Sequence, residues 1–411
     1  MAAAKRKNPP ISEPEQNLPP DIIESILQRL PAKSIIRFRS VAKIWNSIIS
    51  DPHFSRIQSN LALSSSSSTL FLARNIPRNP AVNGGLRLLR FRDQIFHPDN
   101  TFTFSDPPFQ NSEILCSCNG LLLLCEKSPA TRCFILSNPL ARTHTAVWWP
   151  SDRRNSLPAN CRPFTQGLCY DRTSGDYKIV IVVFGAFSVY SCRKRIWTKK
   201  FEKFPESKII NREGIYADGA FYWIGTAAGK LDPVDVIYFD AAGEKFGTVR
   251  VMLPVNIPPA DYVRAVVPAN LWGKLAICFK FSNVKRTRFL IGICAVRRNG
   301  GAKFWDTIRI ADDSPPPAGE GCCKHSISQS GNGVCPITAV CGVADGMIMA
   351  FMDCTRYVVY DCRERNVVGG IRTFLEDFDS KLGVCKDHMF FPVANVRPWR
   401  RCRRTSRVVE D

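Results

Sequence analysis

The chain has 411 residues, 45% of them hydrophobic and 22% charged. This excludes a non-globular chain and leaves room for a small module beside one large domain or two ordinary ones. Lys and Arg number 56 against 36 Asp and Glu, a formal net charge of +20. Such a charge favours acidic partners, whether protein, membrane or nucleic acid. The charges are spread out and no long basic helix appears, so the plainer reading is a diffusely basic surface.

Residues 1–16 are polar and proline-containing, carry Lys5-Arg6-Lys7 and lack the apolar core of a signal peptide; they read as disordered. No apolar run reaches the length of about 20 residues that spans a membrane.

Residues 17–58, NLPPDIIESILQRLPAKSIIRFRSVAKIWNSIISDPHFSRIQ, read as three or four short helices. Pro19 and Pro20 suit a helix start, and Asp21 and Glu24 place negative charge in its first turn. Ile22, Ile23, Ile26, Leu27 and Leu30 share one helical face, and Pro31 ends the run. Ile35, Ile36, Phe38 and Val41 are expected to face inward from a second helix. Ile44, Trp45, Ile48 and Ile49 repeat the first spacing. Asp51 with Pro52 reads as the cap and first residue of a fourth helix through Phe54, Ile57 and Leu61. A unit this short buries only about 60% of its unfolded surface, and each large apolar side chain left wet forfeits roughly 1.5–3 kcal/mol. The surplus marks either a partner site or a helical cap on a larger domain, and spacing alone leaves both open.

The same residues resemble an F-box of the plant type. Leu18-Pro19, Asp21-Ile22-Ile23, Ile26-Leu27, Arg29-Leu30-Pro31, Lys33-Ser34, Arg37-Phe38, Val41, Lys43, Trp45 and Asp51-Pro52-His53-Phe54 carry the resemblance. Ala42 stands where Cys or Ser is usual, a small-for-small change. The resemblance implies docking on a Skp-type adaptor within a cullin-based ubiquitin ligase. Its adaptor-binding residues would be Leu18, Pro19, Ile22, Ile23, Ile26, Leu27, Leu30, Pro31, Ile35, Phe38, Val41 and Trp45.

Residues 59–68 contain the run Ser64 to Ser68, which reads as a flexible joint. Beyond it the helical period stops and short strands begin. Asn119-Gly120, Asp218-Gly219 and Asp345-Gly346 each precede an apolar run, and Trp272-Gly273 is a looser copy. Such pairs favour two-residue hairpins, whose central residues need positive φ. Further strands end in Asn138, Asp240 and Asp361, and Tyr170 to Gly175 forms a similar end. Trp148 and Trp197, like Trp223 and Trp272, stand about fifty residues apart, near the length of a four-stranded blade. Many short strands at this spacing predict a β-propeller over 69–395, of six blades or alternatively seven. CNGLLLL, LSNPLARTH, CYDRTSGDYKIV, VYSCRKRIW, YADGAFYWIG and IYFDAAGEKF, in this order, resemble the F-box-associated, kelch-like propeller of plant F-box proteins. The expected fold class is therefore α+β and multidomain, a small helical F-box followed by an all-β propeller. Pro315 to Gly333 reads as a long loop.

The 17 cysteines are odd in number, begin at Cys116 and sit largely in strand-like segments, and no N-glycosylation sequon occurs. Buried, reduced thiols in the cytoplasm or nucleus are expected. The tail 396–411 is rich in arginine from Arg397 to Arg404 and is either a nuclear or nucleic-acid patch or a solvated end.

Catalytic and metal signatures are weak. The five histidines form no metal-binding motif, and Cys116-Ser117-Cys118, Cys322-Cys323 and Cys385 with His388 lack the second pair that zinc needs. Gly225 to Lys230 is one residue short of a phosphate loop, and Leu231 stands where Ser or Thr would hold Mg²⁺. No catalytic residue, metal or cofactor is expected. The expected function is substrate recognition for a Skp–cullin–F-box ligase, with the adaptor, the cullin scaffold and an unidentified target protein as partners, and neither a membrane nor nucleic acid among them. The alternative is a basic propeller scaffold that binds nucleic acid.

Overall fold

The computed structural model describes residues 18–64, 69–75, 86–93, 95–104, 112–126, 133–148, 165–183, 186–200, 208–226, 234–252, 261–283, 288–296, 302–311, 340–344, 346–351, 356–368, 372–373, 378–386 and 388–393. The N-terminal 1–16, most of the serine run, Cys322-Cys323, the Pro315–Gly333 loop and the arginine tail lie outside these residues.

Four helices come first: α1 (Pro20–Leu27), α2 (Ala32–Phe38), α3 (Lys43–Ser50) and α4 (Pro52–Ser64). Pro20 opens α1, where its missing N–H has no intrahelical partner to lose. The Asp51 carboxylate accepts the His53 N–H at 2.7 Å and caps α4 beside Pro52. Ile23, Leu27, Ile35, Ile49 and Phe54 form a small closed core, flanked by Leu30, Phe38, Trp45 and Ile48. Phe38 and Trp45 meet edge to face at 5.2 Å.

The rest is antiparallel sheet. Strands β1 (Thr69–Asn75), β2 (Leu86–Arg92) and β3 (Ile95–Phe104) are followed by β4 (Ser112–Cys118), β5 (Leu121–Glu126), β6 (Cys133–Asn138) and β7 (Thr143–Trp148). Next come β8 (Thr165–Asp171), β9 (Asp176–Val183), β10 (Ala186–Ser191) and β11 (Ile196–Lys200), then β12 (Lys208–Ala217), β13 (Ala220–Thr226), β14 (Val234–Asp240) and β15 (Lys245–Val251). The series continues with β16 (Asp261–Leu271), β17 (Lys274–Asn283), β18 (Arg288–Val296) and β19 (Ala302–Ala311). It ends with β20 (Val340–Ala344), β21 (Met347–Phe351), β22 (Arg356–Asp361), β23 (Asn366–Val367), β24 (Arg372–Thr373) and β25 (Phe378–Lys386).

Strands β4–β7, β8–β11 and β12–β15 each make a four-stranded meander, as the sequence pattern predicts. Strands β16–β19 and β20–β23 make two more, joined by the parallel pair Asn270↔Cys341 into a nine-stranded sheet whose ninth strand, β24, pairs with β22. The first sheet runs β25-β1-β2-β3, so the C-terminal strand closes it, pairing Thr69 with Lys386 and Phe71 with Val384. The result is an all-β, propeller-like array. Adjacent sheets share apolar cores, the largest joining residues of β4–β14. Gly383 of β25 lies where a Cβ would meet the Leu122 side chain at 2.8 Å, so the two sheets approach too closely there for a larger residue.

The turns repeat a fixed local chemistry. Asn119-Gly120, Asp218-Gly219 and Trp272-Gly273 have φ of 46° and 85°, 42° and 76°, and 52° and 84°. All three form the tight hairpin expected of such pairs, Trp272 included. A second turn begins at an Asx side chain. Asn138 accepts the Leu140 N–H at 3.1 Å, Asp171 that of Thr173 at 2.9 Å, Asp240 that of Gly243 at 2.7 Å and Asp361 that of Arg363 at 2.8 Å. Four positions after each lies a left-handed residue, namely Arg142, Gly175, Glu244 and Arg365.

Candidate partner-docking surface

The helices carry two apolar stripes. Ile23 and Leu27 turn inward at 8% and 1% exposure, while Ile22 and Ile26, one position earlier, are 46% and 49% exposed. Leu18 at 54%, Val41 at 59% and Ile44 at 46% extend the outward stripe, with Pro19 and Pro31 also exposed. Among the docking residues expected from sequence, Leu18, Pro19, Ile22, Ile26, Pro31 and Val41 are therefore open to a partner. Leu30, Phe38 and Trp45 are half-buried and pack against the helical core.

Three of those residues need correction. Ile23, Leu27 and Ile35 lie in the core and present no surface. Both stripes of α1 are fully apolar, so hydrophobicity does not say which one faces in, while Ile35 on α2 faces inward as its spacing predicts. Val41 was expected to face inward, but α2 ends at Phe38 and leaves Val41 exposed in the following turn. Ile44 belongs with the open stripe and is absent from the expected docking set.

The helical module is seated on the strands. Gln58 of α4 is 1% exposed. Its Nε2 donates to the Leu30 carbonyl at 3.2 Å, and its Oε1 accepts the Met389 N–H at 2.8 Å. Ala32 packs in a cluster with Leu86, Leu88, Leu122 and Cys385, and Met389 touches both this cluster and the helical core. Met389 follows His388, whose ring lies 2.8 Å from the Asn119 carbonyl. Asn138 Nδ2 donates to the carbonyls of His388 and Phe390 at 3.0 and 2.9 Å. The segment 388–390 thus ties α4 to the β4–β7 sheet. Burial pulls the His388 pKa down to about 4, opposed by its hydrogen bond with Asn119 and assisted by the charge of Lys386.

The polar contacts elsewhere brace the array. The Lys178 ammonium reaches Asp171 at 3.1 Å, Glu244 at 2.9 Å and the Ala241 carbonyl at 2.8 Å, joining β9 to the β14–β15 turn. Burial works to lower the Lys178 pKa, but bonds and charge from Glu244 and Asp171 raise it overall. Tyr216 donates to the Tyr170 carbonyl at 3.3 Å, and Asn270 donates to that of Tyr216 at 2.7 Å. These groups are bound to each other. Among the described residues no group of three or more His, Cys, Asp or Glu could hold a metal. Nor is any described helix long and apolar enough to cross a membrane. Cys118, Cys169, Cys192 and Cys385 are buried free thiols.

Comparison with known proteins follows this division. A family model described as F-box associated beta propeller domain matches residues 85–291, and one described as F-box domain matches residues 16–57. An F-box protein of Arabidopsis thaliana is 24% identical over 311 residues, 71% of this chain and 68% of the relative. An F-box/kelch-repeat protein of the same plant is 25% identical over 244 residues, 56% of this chain and 64% of the relative. The match spans between 59% and 69% of the length of the first four curated relatives. TolB from Acinetobacter baumannii is 10% identical with a TM-score of 0.41, covering 81% of this chain and 72% of its own, a likeness too loose to bear on function.

Proposed function

The chain belongs to the family of F-box proteins with an F-box-associated β-propeller, and from this we propose that it is the substrate-recognition subunit of a Skp–cullin–F-box ubiquitin ligase. The helices dock the Skp-type adaptor and the strands present a target protein. The chain itself performs no chemistry. It holds target lysines near a ubiquitin-charged enzyme, and proximity supplies the rate.

The observation that carries this is the open stripe Leu18, Ile22, Ile26, Val41 and Ile44 over a core that is already closed. These side chains are not needed to fill the module, and covering them recovers roughly 1.5–3 kcal/mol for each one fully buried. The buried free thiols support a reducing compartment, cytoplasm or nucleus. Pull-down of a Skp-type adaptor by the full chain tests the proposal. The variant Leu18→Ala with Pro19→Ala should lose the adaptor while its strand-rich circular dichroism is unchanged. Wild-type binding by that variant would refute it.

The exposed turn Arg193-Lys194-Arg195 favours the alternative, a scaffold for nucleic acid. Such binding would fall steeply with salt, whereas apolar adaptor docking would barely change.

A further inference from the structure

A helix seated on a sheet array normally seals the contact with apolar side chains. The seam between α4 and the β8–β11 sheet departs from that. Arg56, Ser59, Asn60 and Leu63 fall at i, i+3, i+4 and i+7 on one face of α4, and together they form one wall of a cavity of about 210 Å³. Three of the four are polar. The opposite wall comes from the β8–β9 and β10–β11 hairpins, including Tyr177 and Arg193, and from Phe390.

The polar groups on these walls have unused hydrogen-bonding capacity. Ser59 is only 5% exposed and lines the cavity. Neither Arg56 nor Arg193 has an ion-pair partner among the described residues; the Arg193 guanidinium makes one bond, to the Ser174 carbonyl at 3.2 Å. The nearby carboxylates are already engaged. Asp171 holds Lys178, Thr173 and Ser174, and Asp176 accepts from the Ser191 hydroxyl and the Arg193 N–H. The cavity therefore offers two cationic forks, a hydroxyl and an amide, while Asp176 keeps its charge near Arg193 because its donors are neutral.

We propose that this seam cavity binds a small oxyanion, a phosphate or carboxylate compound held between Arg56 of the helical module and Arg193 of the strands. Guanidinium forks match the planar or tetrahedral oxygens of such groups. Ser59 and Asn60 supply further donors, while Leu63, Tyr177 and Phe390 bound the space. The volume is below the ~300–1,000 Å³ of drug-sized sites, which limits the ligand to a small metabolite or ion. Bound there, it would touch both modules and hold α4 to the sheet. None of this depends on what the apolar stripe docks.

The test is thermal unfolding of the full chain, titrated with inorganic phosphate and separately with citrate, at ionic strength fixed by sodium chloride. A ligand that binds only the folded form raises Tm along a saturating curve. We expect that curve for at least one anion, and its loss in the Arg56→Gln, Arg193→Gln double variant, whose replaced side chains are exposed. Ser59→Ala, which removes only a hydroxyl, should weaken the shift. A shift with phosphate alone assigns a phosphate ligand, and one with citrate alone a carboxylate. No saturable shift with either anion, or a shift that persists undiminished in the double variant, overturns the proposal.

Discussion

Trp197 donates its indole N–H to the carbonyl oxygen of Trp148 at 2.7 Å, tying the outer strand β11 of one sheet to the outer strand β7 of the next. Trp197→Phe should keep a ring against Tyr190, now 5.2 Å away, and remove only the donor. The bond is solvent-exposed, so the loss should sit at the low end of the usual range, about 0.5 kcal/mol. Trp148→Ala should leave the bond intact, because the acceptor is main chain. Urea midpoints with unchanged m-values measure both.

Neighbouring residues of α1 should separate docking from folding. Ile26→Asp should abolish adaptor capture with little change in melting, since Ile26 is 49% exposed. Leu27→Ala, at 1% exposure, should cost about 2–5 kcal/mol by opening a cavity. It should lose the adaptor only as far as the helices unfold. Adaptor titration beside circular dichroism distinguishes the two outcomes.

Acid should loosen the chain through His388. Its folded pKa of about 4 lies below the ordinary 6.5, so the folded form binds fewer protons than the unfolded form between those values. Its contribution is fully present above pH 6.5 and is lost as pH falls towards 4, by roughly 3 kcal/mol in all. Urea midpoints between pH 7.5 and 4.5 should show this slope. His388→Gln should flatten it while lowering stability at neutral pH, where the bond to Asn119 is gone.

Gln58 couples the helices to the strands. Its two bonds, to Leu30 and Met389, leave two part-buried main-chain groups without this partner if it is truncated. Gln58→Ala should cost about 1–3 kcal/mol. The wild-type chain should melt in one transition, and in the variant the helical transition should separate to lower temperature. Differential scanning calorimetry reads the number of transitions directly.

The thiols should be slow to react until the chain unfolds. Burial raises the pKa of Cys118, Cys169, Cys192 and Cys385, and the thiolate is the reactive form. Alkylation at pH 8 should label these residues far more slowly in the native chain than in denaturant. Intact mass after denaturation in freshly reduced extract should show all 17 labelled.

Most of what was legible in the sequence depends on near neighbours. The Asp51-Pro52 helix start and the Asn119-Gly120 and Asp218-Gly219 hairpins need only adjacent residues, and they formed as expected; Asp345 lies outside the described residues. The tryptophan spacing was half informative. Trp148 and Trp197 occupy matching outer strands, whereas Trp223 is buried in β13 and Trp272 sits in a turn, so their separation is coincidence. The seam was hidden for a different reason. Gln58 reads as an ordinary surface residue until Met389, 331 positions away, is brought beside it. The serine run reads as a flexible joint, and the contact that seats the helices through Gln58 comes from Met389. The exposed apolar stripe was legible as apolar surplus, while its direction was set by packing that no local pattern records.

The closure of the first sheet also orders events in time. Strand β1 lies between β2 and β25, so its last partner is made after every other strand. Until residues 378–389 leave the ribosome, β1 has an open edge and α4 lacks the Met389 N–H that Gln58 accepts. A chain stopped short of this point would display unpaired strand edges, the signal that draws chaperones and leads to aggregation. Synthesis through residue 389 is thus built in as a condition for seating the helical module. A prematurely terminated chain would be cleared as a misfolded protein before it could compete for the adaptor.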